Sequence, residues 1–290
     1  MKEAEATVSD ILREVRGRFA EAKLDDPALD ARTLVAGLLG MSKTELLMRT
    51  NETVEPQRQA VIEQAVQRRL AHEPVHRILG ERAFYGLSLK LSPDTLEPRP
   101  DTEILVDTVL PYAHRLVTAH GNIHILDIGT GTGAICLALL QECPDALGTG
   151  SDISAGALKI AEENAEKNGL EGRFRSLQSN WFETIQDQFH VIVSNPPYIA
   201  SSVISSLAPE VKNFDPSTAL DGGIDGLDAY RSIAKDAARF LHRDGIVGLE
   251  IGYDQRAAVT AIFEASHFHL LEAVRDYGQN DRVLVFACNG

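Results

Sequence analysis

The most specific chemistry in the chain lies in four consecutive residues, Asn195-Pro196-Pro197-Tyr198, delivered through Ser194 by the apolar run Val191-Ile192-Val193. The side-chain carbonyl of Asn195 accepts one N–H bond, and the Pro196 carbonyl, on a backbone stiffened by two prolines, accepts a second. Two such acceptors suit a planar NH₂ group, and Tyr198 adds an aromatic face for a flat substrate. Asn-Pro alone reads more simply as a rigid turn at a strand end. The full tetrapeptide makes Asn195, Pro196 and Tyr198 the candidate catalytic residues, and Asn195, Pro196, Pro197 and Tyr198 the candidate substrate contacts.

A second cluster supplies what such a nitrogen would react with. Asp127-Ile128-Gly129-Thr130-Gly131-Thr132-Gly133 follows an apolar strand and opens a helix containing Ile135, Leu137 and Leu139. Glycines beyond a strand's carboxyl end let the backbone turn sharply and approach a ligand, and the helix N-terminus receives an anion. The spacing is G-x-G-x-G, not the G-x-G-x-x-G of dinucleotide sites, so a dinucleotide is the weaker reading. Asp152 ends the next strand, where an acidic residue accepts from both ribose hydroxyls of an adenosine. Asp127 has two equal readings, touching the cofactor or capping the glycine loop from behind. Adenosine beside a planar-nitrogen site indicates S-adenosylmethionine, with S-adenosylhomocysteine as product. A conjugated nitrogen is a weak nucleophile, so orientation and water exclusion, worth up to ~7–11 kcal/mol, have to supply much of the rate.

These clusters require a parallel sheet. Strand patterns fall at 123–128, 147–153, 174–179, 191–195, 246–251, 270–275 and 282–287, with helical patterns at 154–168 and 227–241 among the intervals. Residues 276–281 leave no room for a crossover helix, so the last two strands form an antiparallel hairpin. Ahead of this region, Val8, Ile11, Leu12, Val15 and Phe19 mark one helix, and Leu34, Val35, Leu38 and Leu39 a second after Asp26-Pro27. Ser42 and Glu45 form a capping-box signature for a third, and Pro56 opens a fourth carrying Ile62, Val66 and Leu70. Alternation over 84–91 reads as a hairpin, and the helix over 101–119 should be bent or shortened at Pro111. The expected organisation is a helical substrate-recognition domain over 1–78, a hairpin linker over 79–100 and a catalytic domain over 101–290.

In 290 residues, 28 basic against 42 acidic side chains give a net charge of −14, which disfavours phosphate backbones and anionic membranes as partners. Cys136, Cys143 and Cys288 lack the spacing of a zinc site or disulfide framework. No metal is expected; His267 and His269 read as surface or core-edge residues. With no signal-like start and no long apolar run, the expectation is a soluble, cytoplasmic protein.

With both motifs in place, the chain resembles the bacterial protein-(glutamine-N5) methyltransferases that modify peptide-chain release factors. Supporting stretches include Phe84-Tyr85-Gly86, Glu97-Pro98-Arg99-Pro100-Asp101-Thr102-Glu103, Asn180-Trp181-Phe182, Pro216-Ser217-Thr218-Ala219-Leu220 and Asp276-Tyr277-Gly278. The resemblance implies a seven-stranded Rossmann-like methyltransferase domain (α/β) with a small N-terminal helical bundle. It implies the glutamine of the Gly-Gly-Gln loop of class 1 release factors as substrate, without direct nucleic-acid or membrane contact. Together with the reading of the residues, it gives the cofactor-binding set Asp127, Gly129, Thr130, Gly131, Thr132, Gly133, Asp152, Asn180, Trp181 and Asn195. Asn180 departs from the family's usual Asp, keeping an acceptor but losing negative charge at the adenine. Trp181 either walls the adenine or packs in the core. Competing readings are a ribosomal-protein glutamine methyltransferase, an exocyclic-amine methyltransferase of nucleic acid that would flip a base onto Tyr198, and a non-catalytic adenosine-binding module. Glu250 reads equally as a satisfied polar residue or a functional one, and 199–226 as a closing segment or a surface connection.

Overall fold

The computed structural model describes residues 6–289 and divides the chain after Glu81 into two compact units. In the first, α1 (Val8–Glu21) starts at Thr7, whose side chain accepts from the Asp10 N–H in a reciprocal capping box. Helix α2 (Pro27–Leu39) is capped by Asp26 and stopped by left-handed Gly40, and α3 (Lys43–Met48) carries the expected Ser42–Glu45 box. Helix α4 (Pro56–Leu70) is followed by a short α5 (Val75–Leu79), too brief to show a helical period in the sequence. The four longer patterns meet in one core around Phe19, Leu34, Val35, Leu46 and Val66. The buried Arg69 guanidinium pairs with Asp30 at 2.7 Å.

At the division comes a hairpin, β1 (Glu81–Phe84) and β2 (Leu87–Lys90), which turns through left-handed Tyr85 and Gly86. Alternation is visible only in its second strand, because three of the four β1 residues are not buried; the pairing therefore starts earlier than the pattern suggests. Helix α6 (Glu103–His120) is not shortened at Pro111. Pro111 faces solvent, whereas Leu105, Val106, Val109 and Ala113 are buried, and that packing outweighs a proline cost of ~3 kcal/mol.

The main sheet contains β3 (Ile123–Ile128), β4 (Ala146–Asp152), β5 (Phe174–Gln178), β6 (Phe189–Ser194), β7 (Leu241–Glu250), β8 (Phe268–Arg275) and β9 (Asp281–Cys288). Its order is β5-β4-β3-β6-β7-β9-β8, with only the β7–β9 and β9–β8 pairs antiparallel. This is the seven-stranded, mostly parallel sheet expected from the sequence. Successive side chains serve opposite faces: Ile125, Val191 and Val193 join the core with α6, α7 (Ala134–Glu142) and α8 (Ala155–Lys167). Leu126, Ile192 and Val247 join the other, with α11 (Asp228–Phe240) and α12 (Arg256–Ala265). Two one-turn helices, α9 (Ser201–Ile204) and α10 (Pro209–Lys212), lie between β6 and α11.

From β3 the chain builds outward through β4 and β5, then returns to β3's other side with β6. This reversal of strand order opens a crevice at the carboxyl ends of β3 and β6. Both motifs emerge there. The buried Ser194 hydroxyl donates to the Ile128 carbonyl at 2.6 Å, joining the two strand ends. Among the described residues, no helix is long and apolar enough to cross a membrane.

Candidate active site

A cleft of about 600 Å³ occupies the crevice. On one side, the turn after β3 places Gly129, Gly131 and Gly133 at φ of 70°, 54° and 83°, a conformation costly for residues with a Cβ. The Gly129 and Thr130 N–H groups bond the Ser151 carbonyl at 2.8 and 2.9 Å, closing the turn against β4. A Cβ on Gly131 would meet no atom within 4 Å, so backbone conformation alone requires glycine there. A Cβ on Gly133 would come within 3.0 Å of Leu137 and 3.3 Å of Ala161, so that glycine also lets helices pack.

Asp152 lines the cleft, with Oδ2 accepting from the Gly131 N–H at 3.0 Å and Oδ1 from the Ser154 N–H at 2.9 Å. Each carboxylate oxygen retains capacity to accept again, as required for a pair of hydroxyls. Asp127 is fully buried and does not line the cleft; its Oδ2 accepts from the Thr130 hydroxyl at 2.7 Å and the Cys136 N–H at 3.3 Å. Burial pushes its carboxyl up to about 7, against the pull of those two donors. The structure thus places Asp127 behind the loop as its brace. Gly133, at the start of α7, also lies off the cleft wall. Both depart from the expected set: Asp127 lies off the wall because its side chain, within β3, is buried against Thr130 and Cys136, whereas Gly133 lies past the turn, where α7 begins.

Past β5, Asn180 and Trp181 line the cleft. Asn180 Nδ2 donates to Glu183 Oε1 at 2.9 Å, and because a carboxylate only accepts, the Asn180 side-chain oxygen Oδ1 keeps its capacity to accept. Trp181 has a left-handed backbone (φ 53°) and is half-buried, so it meets both the core and the cleft. Its two sequence readings are not alternatives.

Beside the glycine turn, at the end of β6, Asn195, Pro196 and Pro197 line the cleft wall. Asn195 Nδ2 donates to the Thr102 hydroxyl at 3.2 Å. Tyr198 is absent from that wall: its ring packs against the core, its hydroxyl donates to Glu250 at 3.3 Å and its carbonyl accepts from Gln255 at 3.0 Å. Burial raises its phenol above the ordinary range, with the Glu250 charge adding to it. In this structure the expected aromatic face is therefore turned inward, bracing the tetrapeptide.

Sequence reasoning gave no role to several residues on the cleft. Thr102 was visible only as part of the Glu97–Glu103 stretch; its burial beside Asn195 is a tertiary fact. The same stretch is pinned by an Arg82–Glu97 ion pair and by Glu103 accepting from the Tyr85 N–H at 2.8 Å. Arg99 bonds the buried Asp215 at 2.6 Å, and the neighbouring Pro216–Ala219 turn also lines the cleft. Among the described residues, no group of three or more His, Cys, Asp or Glu could hold a metal ion. His269 Nδ1 is hydrogen-bonded to Asn289 at 2.8 Å.

Left-handed glycines, a two-oxygen acceptor, a flat indole and a side-chain amide acceptor around one cleft fit an adenosine-bearing ligand of S-adenosylmethionine type.

Comparison with known proteins gives concordant results. Residues 10–80 match the family model described as the PrmC N-terminal domain, and residues 102–210 match the methyltransferase small domain. A release factor glutamine methyltransferase of Agrobacterium fabrum is 56% identical over 97% of this chain and 98% of its own. Proteins of the same name from Rhodospirillum rubrum and Caulobacter vibrioides are 41% and 38% identical, covering 92% and 93% of this chain and 81% and 92% of theirs. The fold is shared with a methyltransferase from Pyrococcus furiosus at TM-score 0.52 and 20% identity, over 80% of this chain and 98% of that one. It is shared as well with a ribosomal protein L11 methylase from Lactobacillus delbrueckii subsp. bulgaricus, at TM-score 0.50 and 18% identity over 70% and 86%.

Proposed function

The chain belongs to the release factor glutamine methyltransferase family, and we propose that it methylates the side-chain amide nitrogen of the glutamine in the Gly-Gly-Gln loop of class 1 peptide-chain release factors. The observation that carries this reading is Asn195: its NH₂ is turned back to Thr102, leaving its Oδ1 as an acceptor on a wall shared with the Pro196 residue.

The Gly129–Thr132 backbone and Asp152 would hold the ribose and methionine end of S-adenosylmethionine, and Asn180 and Trp181 its adenine. When bound, that group supplies a methyl carbon made electrophilic by its sulfonium. The protein's part is to hold the amide. Asn195 Oδ1 and the Pro196 carbonyl each take one N–H, fixing the plane of the NH₂ so that its nitrogen faces the donor side of the cleft. Pro196 and Pro197 remove backbone freedom that would otherwise blur this geometry. Neither acceptor needs to be a strong base, because alkylation makes the nitrogen acidic and its extra proton leaves readily afterwards.

A protein substrate suits the acidic chain better than a phosphate backbone. We assign docking of that substrate to the helical unit, where Leu47 and Met48 are 68% and 79% exposed. The reaction is assigned to the cytoplasm, where release factors work.

The test supplies labelled S-adenosylmethionine with purified release factor, with the same factor carrying Gln→Glu in its Gly-Gly-Gln loop, with ribosomal protein, and with DNA or RNA. Label is expected on the intact release factor alone. Label on nucleic acid or ribosomal protein, with none on intact release factor, defeats the proposal.

A further inference from the structure

Asn195 serves as an acceptor only if its oxygen faces the cleft, and the amide itself does not decide this. Its carbonyl and NH₂ ends are nearly the same size, so neighbouring donors and acceptors set the orientation. Behind the cleft the partner is Thr102, whose Oγ1 is 3.2 Å from Nδ2. A hydroxyl both donates and accepts, so Thr102 alone satisfies either orientation. The destination of its proton breaks the tie.

Glu250, at the end of β7, is 1% exposed. Its Oε1 accepts from the Tyr198 hydroxyl at 3.3 Å, while Oε2 is buried with no hydrogen-bond partner among the described residues. Burial raises this carboxyl, and the Thr102 side chain, Arg282 and Tyr198 act in the opposite direction, with Asp101 opposing them. Tyr230 donates to the Glu250 backbone carbonyl at 3.0 Å and fixes the strand end. Arg282 bonds Asp276 at 2.9 Å and lies 3.6 Å from Asp101. An ionised carboxylate has only lone pairs to offer, and an orphaned buried oxygen is costly unless a proton is directed at it.

We propose that Glu250 and Thr102 are positioning residues: the buried Glu250 carboxylate draws the Thr102 proton, Thr102 keeps only lone pairs for Asn195 Nδ2, and Asn195 Oδ1 is thereby aimed into the cleft. Through Tyr198 the same carboxylate holds the far end of the tetrapeptide. Reversal of the relay would set the Asn195 NH₂ against the substrate NH₂, donor facing donor. This inference rests on the proposed role of Asn195 as the amide acceptor.

The full-length enzyme is assayed with labelled S-adenosylmethionine and purified release factor as Thr102→Val, Thr102→Ser, Glu250→Gln, the Val/Gln double variant and Asn195→Ala. Turnover, affinity for S-adenosylhomocysteine and Tm are measured for each. Thr102→Val and Glu250→Gln should each cut kcat roughly 10–100-fold with cofactor affinity kept, and the double variant should be no worse than the poorer single, the mark of one shared interaction. Thr102→Ser should restore most of kcat. Wild-type kcat should fall on acidification as Glu250 is protonated, and Thr102→Val should lose that acid limb. Losses that multiply in the double variant, or cofactor affinity falling in step with kcat, overturn the relay. Should Glu250→Gln not fold, the acid limb decides: its persistence in Thr102→Val overturns the relay. An active Asn195→Ala overturns the parent reading instead, whereas an inactive one beside multiplying losses removes only the relay.

Discussion

The glycine turn after β3 and the proline turn after β6 stand side by side at one reversal of strand order, yet they are built on opposite principles. The first is made of backbone: three glycines in left-handed conformations, closed by N–H bonds to β4 and braced by Asp127 from below. The second is made of constraint: two prolines, an amide tied to Thr102 and a tyrosine tied to Glu250. A turn that must enfold a ligand benefits from absent side chains, whereas a turn that must aim one carbonyl benefits from absent freedom. The difference predicts that lesions in the first damage cofactor binding and stability, and lesions in the second damage turnover.

The largest expected effect tests the second turn. Asn195→Ala should lower kcat by ~10³-fold or more, since a single acceptor no longer fixes the amide plane. Equilibrium titration with S-adenosylhomocysteine should show affinity within about threefold of wild type; a parallel collapse of binding would erase the division between the turns. Next comes the brace of the first turn. The Asp127 carboxyl is raised from 3.8 to about 7, so between those values the folded protein holds a proton that the unfolded chain has released. Stability should therefore decline as pH rises through that window, by up to about 4 kcal/mol. Asp127→Asn should flatten the slope in denaturant titrations from pH 4 to 8, while an unchanged slope would place the titrating group elsewhere.

Asp152→Ala should weaken cofactor affinity about 10–100-fold, the value of charge-assisted hydrogen bonds. At saturating donor most of kcat should return, and failure to recover would give Asp152 a part in aiming the amide. The smallest effect sharpens the adenine end. Asn180→Asp adds a charge to an acceptor that now has none, and should tighten S-adenosylhomocysteine binding by a few-fold. Because the new carboxylate would face Glu183, the gain should shrink at low salt, where like charges repel most.

Much of this was readable from residue order. The three glycines, Asp152 and the tetrapeptide are contiguous or fall at strand ends, so local spacing exposed them. The parallel sheet followed from apolar runs alternating with helical periods, and the closing hairpin from the short interval 276–281. Exposed Pro111 does not shorten α6, because its cost is local while the packing that overrides it comes from other parts of the fold.

Sequence by itself determined which groups we propose to meet a planar nitrogen and an adenosine, because those groups are carried by short motifs whose backbone chemistry is intrinsic. Only tertiary structure decided which of them face the cleft. It turned Asp127 and Gly133 away from the wall, drew Tyr198 inward to Glu250, and brought Thr102 to Asn195 across a separation of 93 residues. Such pairings depend on where strands end in space and on which buried polar atoms still need partners, and neither is written in the spacing of residues along the chain.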